Sequence, residues 1–224
     1  MRDLTSKWTE FNYNEIPHSL ELFQVFYDYV KSRYQILDIG TGTGYTAIKL
    51  GLQGYHVIGI DINKKGIEKI TRNTVHGNIS NLINFQISTA TNLPFKSESF
   101  DFIIMQAFLT TIIEKENRNK IIKECYRVLK KCQYLYLAVF GQTWHSELYR
   151  NRYLRDFPIT KEEGSFLSFN KSSNKFEYIA HHYTEKELVF LLVNNGFKLD
   201  YFQHQELMTK SGNKINGFVI IAKK

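Results

Sequence analysis

The stretch that most constrains this 224-residue chain is Ile36 to Gly44, Ile-Leu-Asp-Ile-Gly-Thr-Gly-Thr-Gly. Ile36, Leu37 and Ile39 form an apolar run too short and too β-branched for a helix, so it reads as a buried strand. Gly40, Gly42 and Gly44 then permit backbone conformations closed to residues with a Cβ. The following Tyr-Thr-Ala-Ile-Lys-Leu opens a helix. A strand, a glycine turn and a helix N-terminus together aim backbone N–H groups and the positive end of a dipole at a ligand. Gly42, Gly44 and Ala47 also satisfy the dinucleotide pattern G-x-G-x-x-A, so spacing alone leaves two ligand classes open.

Asp38 tilts the choice between them. A carboxylate two residues before the first glycine opposes a pyrophosphate but suits a cationic ligand. With it, the stretch resembles the first motif of the class I S-adenosylmethionine-dependent methyltransferases, an acidic residue followed by G-x-G-x-G; that ligand carries an ammonium and a sulfonium. Ser88-Thr89-Ala90-Thr91-Asn92-Leu93-Pro94-Phe95 and then Ser97 to Asp101 resemble a second family signature, a G-D-A-type segment leading to L-P-F and S-F-D. Glu124 to Lys130 is similar to the family's E-x-x-R-V-L-K. There are two departures. Thr89 stands where the family commonly carries an acidic residue for the adenine amino group, and Lys131-Cys132-Gln133 replaces the usual P-G-G turn.

The resemblance implies an α/β fold, a Rossmann-like doubly wound seven-stranded sheet, mostly parallel with an antiparallel last strand. It implies one class I domain over 1–224, with an N-terminal helical lid over about 1–32 and a substrate-side insertion over about 141–182. It also implies S-adenosylmethionine as cofactor and S-adenosylhomocysteine as product, held by Asp38, Gly40, Thr41, Gly42, Gly44, Asp61, Ile62, Thr89, Ala90 and Gln106. Asp61, 21 residues beyond Gly40 at the tip of the second strand, is the ribose candidate, because a carboxylate accepts charge-assisted bonds from two hydroxyls. Asn63 suits the cap of the next helix instead. Thr89 offers an uncharged acceptor, the Ala90 N–H can meet an adenine ring nitrogen, and Gln106 borders the methionine portion and the incoming nucleophile. No N-P-P-Y tetrapeptide and no Pro-Cys pair follows the fourth strand, which disfavours methylation of DNA bases.

Periodicity predicts helices over 17–31, 45–53, 63–76, 116–130 and 185–195, the last opened by a Thr184–Glu187 capping box. Strands are expected over 55–60, 82–87, 102–105 and 134–140, with a terminal pair over 197–203 and 217–223. Residues 141–182 are the least family-like and rich in aromatics interleaved with Arg150, Arg152 and Arg155, as in a lid over an apolar or aromatic acceptor with an arginine to pair an acidic group. Acceptor-side candidates are Tyr13, His18, Phe108 and Trp144. For an acceptor that must lose a proton, His145 is the first candidate base because it lies just past the fifth strand, followed by His181 and His182. Adjacent histidines on an extended chain point to opposite sides, so no metal site is expected there.

Hydrophobic residues at 43%, aromatics at 15% and three prolines describe a packed globular chain. The net charge of +7 is uneven: residues 31–140 carry fifteen Lys/Arg against eight Asp/Glu, mostly at helical spacing. Such residues read as solvated helix faces, and nucleic acid is not the expected partner. No window reaches the ~18 apolar residues of a membrane span, and the N-terminus lacks an apolar signal core, so a cytoplasmic protein is expected. Cys125 and Cys132 read as reduced thiols. The expected function is methylation of a small-molecule acceptor, as in natural-product synthesis. The competing readings are an RNA methyltransferase, a nicotinamide-dependent oxidoreductase disfavoured by Asp38 and the terminal hairpin, and a cofactor-binding protein without turnover.

Overall fold

The computed structural model describes residues 7–16, 20–74, 79–170, 173–209 and 211–224. In chain order the elements are α1 (Gln24–Tyr29), β1 (Gln35–Ile39), α2 (Tyr45–Leu52), β2 (His56–Asp61), α3 (Lys64–Thr74), β3 (Ile83–Ile87) and β4 (Phe100–Gln106). There follow α4 (Lys115–Val128), β5 (Leu129–Phe140), α5 (Glu147–Thr160), β6 (Ser165–Phe169), β7 (Phe176–His181), α6 (Glu185–Val193), β8 (Lys198–Met208) and β9 (Lys214–Lys223). Among the described residues seven strands form one sheet in the order β3-β2-β1-β4-β5-β9-β8. The first five run parallel, and β9, the last strand, is antiparallel to both β5 and β8. β6 and β7 pair as a separate two-stranded sheet.

Parallel strands buried on both faces need continuous apolar runs, which β1 and β4 supply. Alternate side chains enter opposite cores. Leu37, Ile39 and Ile103 pack with Ile121, Cys125, Leu188 and Leu192 of α4 and α6. Ile36, Phe102 and Ile104 pack on the other face with Phe26, Ala47 and Leu50 of α1 and α2. Helices therefore cover both faces, and the carboxyl ends of the parallel strands gather at one edge, where such folds bind ligands. No helix among the described residues is long and apolar enough to cross a membrane.

The second and third sequence signatures form one structural knot. Arg127 donates to the carbonyls of Phe95 (2.7 Å) and Leu93 (3.0 Å) and to both oxygens of Glu124, while Glu124 accepts the Leu93 N–H at 2.7 Å. Lys130 pairs with Asp101, which also accepts the Gln35 N–H at the start of β1. The Arg127 hydrogen bond, with its charge, holds the Glu124 carboxyl below its ordinary range. Arg127→Ala strands two loop carbonyls and is expected to lower unfolding free energy by about 1–2 kcal/mol. Arg127→Lys, which keeps the charge without the fork, should recover only part of it. Denaturant midpoints check both.

Three expectations about local structure are corrected. The helix expected over 17–31 is confined to Gln24–Tyr29, preceded by a short 3-10 turn at Tyr13–Glu15; residues 17–19 lie outside the described residues. Core side chains capture the backbone groups a longer helix would use: Gln106 Nε2 donates to Leu20 O, and Phe23 N donates to the Tyr136 hydroxyl. The turn expected at 131–133 is instead an irregularity within β5, with Cys132 left-handed at φ 59° and its N–H donating to Lys224 O. The terminal strands run on to Met208 and from Lys214, beyond the edge of the main sheet.

Candidate active site

The loop after β1 is shaped by left-handed glycines: φ is 73° at Gly40, 55° at Gly42 and 74° at Gly44. The N–H groups of Gly40 and Thr41 donate to Ile60 O, which docks the loop on the end of β2. A Cβ at Gly40 would run into the Phe108 ring, so only glycine lets the loop after β4 approach here. Gly44 N-caps α2 without any side-chain cap.

Asp61, at the end of β2, accepts the Gly42 N–H at 3.0 Å through one oxygen and the Asn63 N–H at 2.9 Å through the other. It lines the cavity described below, and burial raises its pKa against the pull of these bonds. A carboxylate offers about four lone-pair sites, so two further donors can be accepted from the cavity. Asp38 lies behind the loop, 3% exposed, and accepts the Thr41 hydroxyl at 2.7 Å. Burial, together with the charge of Asp61, pushes its pKa up to about 7 even though the Thr41 bond lowers it. Asn63 caps α3 by accepting the Gly66 N–H at 2.7 Å. Its amide also donates to the carbonyls of Trp8 and Phe11.

One cavity of about 1220 Å³ runs along the carboxyl edge of the sheet. It exceeds the roughly 300–1,000 Å³ of a single small-molecule site, so it has room for two ligands. One end is lined by Gly40, Gly42, Asp61, Ile62, Thr89 and Ala90. Ile62 is 41% exposed, a large apolar side chain open to a flat partner. The Thr89 hydroxyl is engaged with Thr91, 2.9 Å away. Gln106 sits between the ends: its Oε1 accepts the Thr46 hydroxyl and its Nε2 donates to Leu20 O, leaving one N–H and one lone pair. Ala107, beside it, is held left-handed at φ 53°, local strain of the kind that accumulates at functional sites. A glycine-lined wall, an acidic group with spare lone pairs and a buried carboxylate behind fit a nucleoside with a cationic tail.

The other end is aromatic. Phe140, Tyr149, Phe166, Tyr178 and His182 line it with Arg152. Trp8 packs on Tyr178 at 4.6 Å and the Lys7 N–H donates to Glu177 O, so the N-terminal segment bridges α3 and β7. Arg118, buried in α4, donates to the carbonyls of Ile112 and Ile113 and forks onto Glu162, which ties the loop after β4 to the end of α5.

The histidines separate. His145 is exposed on the far side of β8 and β9, in a second depression with His204, Glu206 and Lys214, and does not line the cavity. His181 is buried beside Glu162 (3.4 Å) and Glu187 (3.3 Å), and burial lowers its pKa. Those three side chains are of metal-ligating type and lie close together, but the Arg118 guanidinium already supplies the cation to Glu162. Of these three, His182 lines the cavity. Its Nδ1 lies 2.7 Å from the Tyr153 hydroxyl, whose oxygen also accepts the Thr143 N–H. Burial, with the charges of His181 and Arg152, pushes its pKa down to about 3. A group so weakly basic is a poor proton acceptor at neutral pH.

Of the acceptor-side candidates, Phe108 lines the cavity against Gly40. Tyr13 donates to Thr43 O, fastening the N-terminal segment to the glycine loop. Trp144 lies behind the cavity wall, bonded to Gln142 and packed on Tyr153. His18 is outside the described residues. Trp8 and Tyr178 line the cavity without a sequence motif to mark them, whereas Arg152 belongs to the arginines interleaved with aromatics over 149–166.

Residues 37–137 match a family model described as a methyltransferase domain. The chain superposes on a crystal structure of a SAM-dependent methyltransferase from Methanosarcina mazei with a TM-score of 0.88, at 49% identity over 92% of this chain and 99% of that one. A 97-residue segment is 36% identical to an uncharacterized protein of Haemophilus influenzae and covers 43% of this chain but only 38% of that relative. A ubiquinone/menaquinone biosynthesis C-methyltransferase UbiE from Rickettsia prowazekii is 24% identical over 75% of this chain and 70% of its own length. S-adenosylmethionine is accordingly the cofactor, and the chain belongs to the S-adenosylmethionine-dependent methyltransferases.

Proposed function

We infer that the protein methylates a small apolar or aromatic acceptor in the cytoplasm, in metabolism of the natural-product type. The observation that carries this reading is the continuity of one cavity from Asp61 and the glycine loop to an aromatic wall at α5, β6 and β7. The Rickettsia relative, named for quinone biosynthesis, supports a small acceptor. S-adenosylmethionine supplies an electrophilic methyl group on a sulfonium and leaves as the thioether.

In this reading Asp61 accepts the ribose hydroxyls, Ile62 and Ala90 flank the adenine, and Gln106 offers its remaining N–H beside the reacting centre. Thr89 contributes backbone shape, its hydroxyl being engaged. Asp38 supplies negative charge behind the loop for the cationic tail. The aromatic wall and the N-terminal segment exclude water and align the acceptor, which is most of what an already activated leaving group requires. Incubating the protein with S-adenosylmethionine and a library of phenols, quinols, indoles and aryl acids is expected to release S-adenosylhomocysteine only when an acceptor is present. Release with RNA and with none of the small molecules would overturn the reading.

A further inference from the structure

Arg152 projects from the middle of α5 onto the aromatic end of the cavity. Its guanidinium lies over the Tyr149 ring at 5.2 Å and the Phe166 ring at 5.4 Å. Its neighbour Arg155 forks onto Asp156 with two bonds of 2.8 Å. Arg152 makes no ion pair or hydrogen bond among the described residues, although it is half-buried and lines the cavity. A guanidinium stacked on two rings presents its N–H edge to whatever shares those rings, and its preferred partner is a planar oxyanion. The other ionisable groups that line the cavity away from the glycine loop are Glu114, Tyr149, Arg155, Glu177, Tyr178 and His182, and the Arg155 charge is met by Asp156. Glu177 is engaged by Asn170, and His182 is neutral. The wall thus has a cation to receive an acidic acceptor and no strong base to deprotonate a neutral one.

We propose that Arg152 recognises the acceptor as an aromatic anion, a phenolate or aryl carboxylate whose ring stacks among Tyr149, Phe166 and Tyr178. This deepens the reading of the cavity as the acceptor site and rests on it. Arg152 stabilises the ionised form, so the acceptor's proton passes to solvent as it binds. A lone pair of the acceptor then forms the bond to the methyl carbon while the carbon–sulfur bond breaks and its electron pair stays on sulfur. The new methyl–acceptor bond needs no protein base.

The test uses protein saturated with S-adenosylhomocysteine and two probes. The first is 2-naphthoate against its neutral amide, measured by calorimetry. The wild type should bind the acid at least tenfold tighter than the amide, and Arg152→Gln should abolish the difference. The second is 4-nitrophenol, whose absorbance reports its own ionisation: bound to the wild type its apparent pKa should fall by about one unit, and Arg152→Gln should remove the shift while Arg152→Lys keeps part of it. Equal binding of acid and amide, a nitrophenol shift that survives Arg152→Gln, or no binding of either probe overturns the proposal. The affinity for S-adenosylhomocysteine, measured on the same samples, separates this failure from failure of the cofactor site or of folding, because Arg152 lies at the opposite end of the cavity.

Discussion

Asp61→Ala is expected to weaken S-adenosylhomocysteine binding by at least 30-fold, about 2 kcal/mol. Two hydrogen bonds from ribose hydroxyls to an ionised carboxylate are each worth about 1.5–3 kcal/mol, and the alanine removes both. It also frees the N–H groups of Gly42 and Asn63, which Asp61 holds at 3.0 and 2.9 Å, so the glycine loop loses its anchor to the start of α3. Asp61→Asn retains one acceptor oxygen and should fall between wild type and alanine. Isothermal titration of the three proteins checks the order. An alanine variant binding within threefold of wild type would show that the ribose is held elsewhere.

The second large effect concerns Asp38 and has opposite signs for stability and for binding. Its folded pKa, about 7, lies above that of an unfolded carboxyl because burial penalises its charge. The folded state therefore holds this proton more tightly. The resulting stabilisation is fully present below the unfolded carboxyl value near 4 and is lost as pH rises towards 7. Asp38→Asn keeps an acceptor for Thr41 without the charge, so the variant free of cofactor should be more stable than wild type at pH 8 by about 2–4 kcal/mol. In the proposed site the same charge attracts the cationic end of S-adenosylmethionine. Wild-type affinity should rise about tenfold between pH 5.5 and 7.5, one pKa unit of coupling, and Asp38→Asn should be weaker and nearly flat with pH. Thermal melts and titrations at the two pH values read both effects. Equal stability at pH 8 with an unchanged pH profile would contradict this role.

The parts of the fold that were legible in the sequence are those fixed by local pattern. The nonamer at Ile36 announces a strand, a left-handed turn and a helix because three glycines at alternate positions have few other uses, and Gly40, Gly42 and Gly44 all take positive φ. The Thr184–Glu187 capping box forms as its spacing demands. The L-P-F and E-x-x-R signatures were visible as strings, but their shared purpose, Arg127 clamping the Leu93 and Phe95 carbonyls, requires contacts 32 and 34 residues apart in the chain.

What pattern missed depends on where the chain goes after an element ends. His145 lies just past β5, yet Thr143 turns the chain by bonding Gly141 O and accepting the Asn216 N–H, which leaves His145 against β8 and β9. His181 and His182 are neighbours, but one enters an ionic cluster and the other the cavity wall. The helix before β1 is shorter than its pattern suggests because Leu20 and Phe23 are apolar at helical spacing, whereas the side chains that claim their backbone groups, Gln106 and Tyr136, lie more than 80 residues away. Arg152 stood among other arginines with nothing local to distinguish it. Its stacking on Tyr149 and Phe166 at the cavity wall sets it apart from the exposed Arg150 and from Arg155, which pairs with Asp156.

A crystal structure with bound S-adenosylhomocysteine tests the central claim most directly. Both ribose hydroxyls are expected within hydrogen-bonding distance of the Asp61 carboxylate, with the adenine against Ile62 and Ala90 and the sulfur directed towards the aromatic end of the cavity. Density for the nucleoside at that aromatic end, or a ribose making no contact with Asp61, would contradict the assignment of the site.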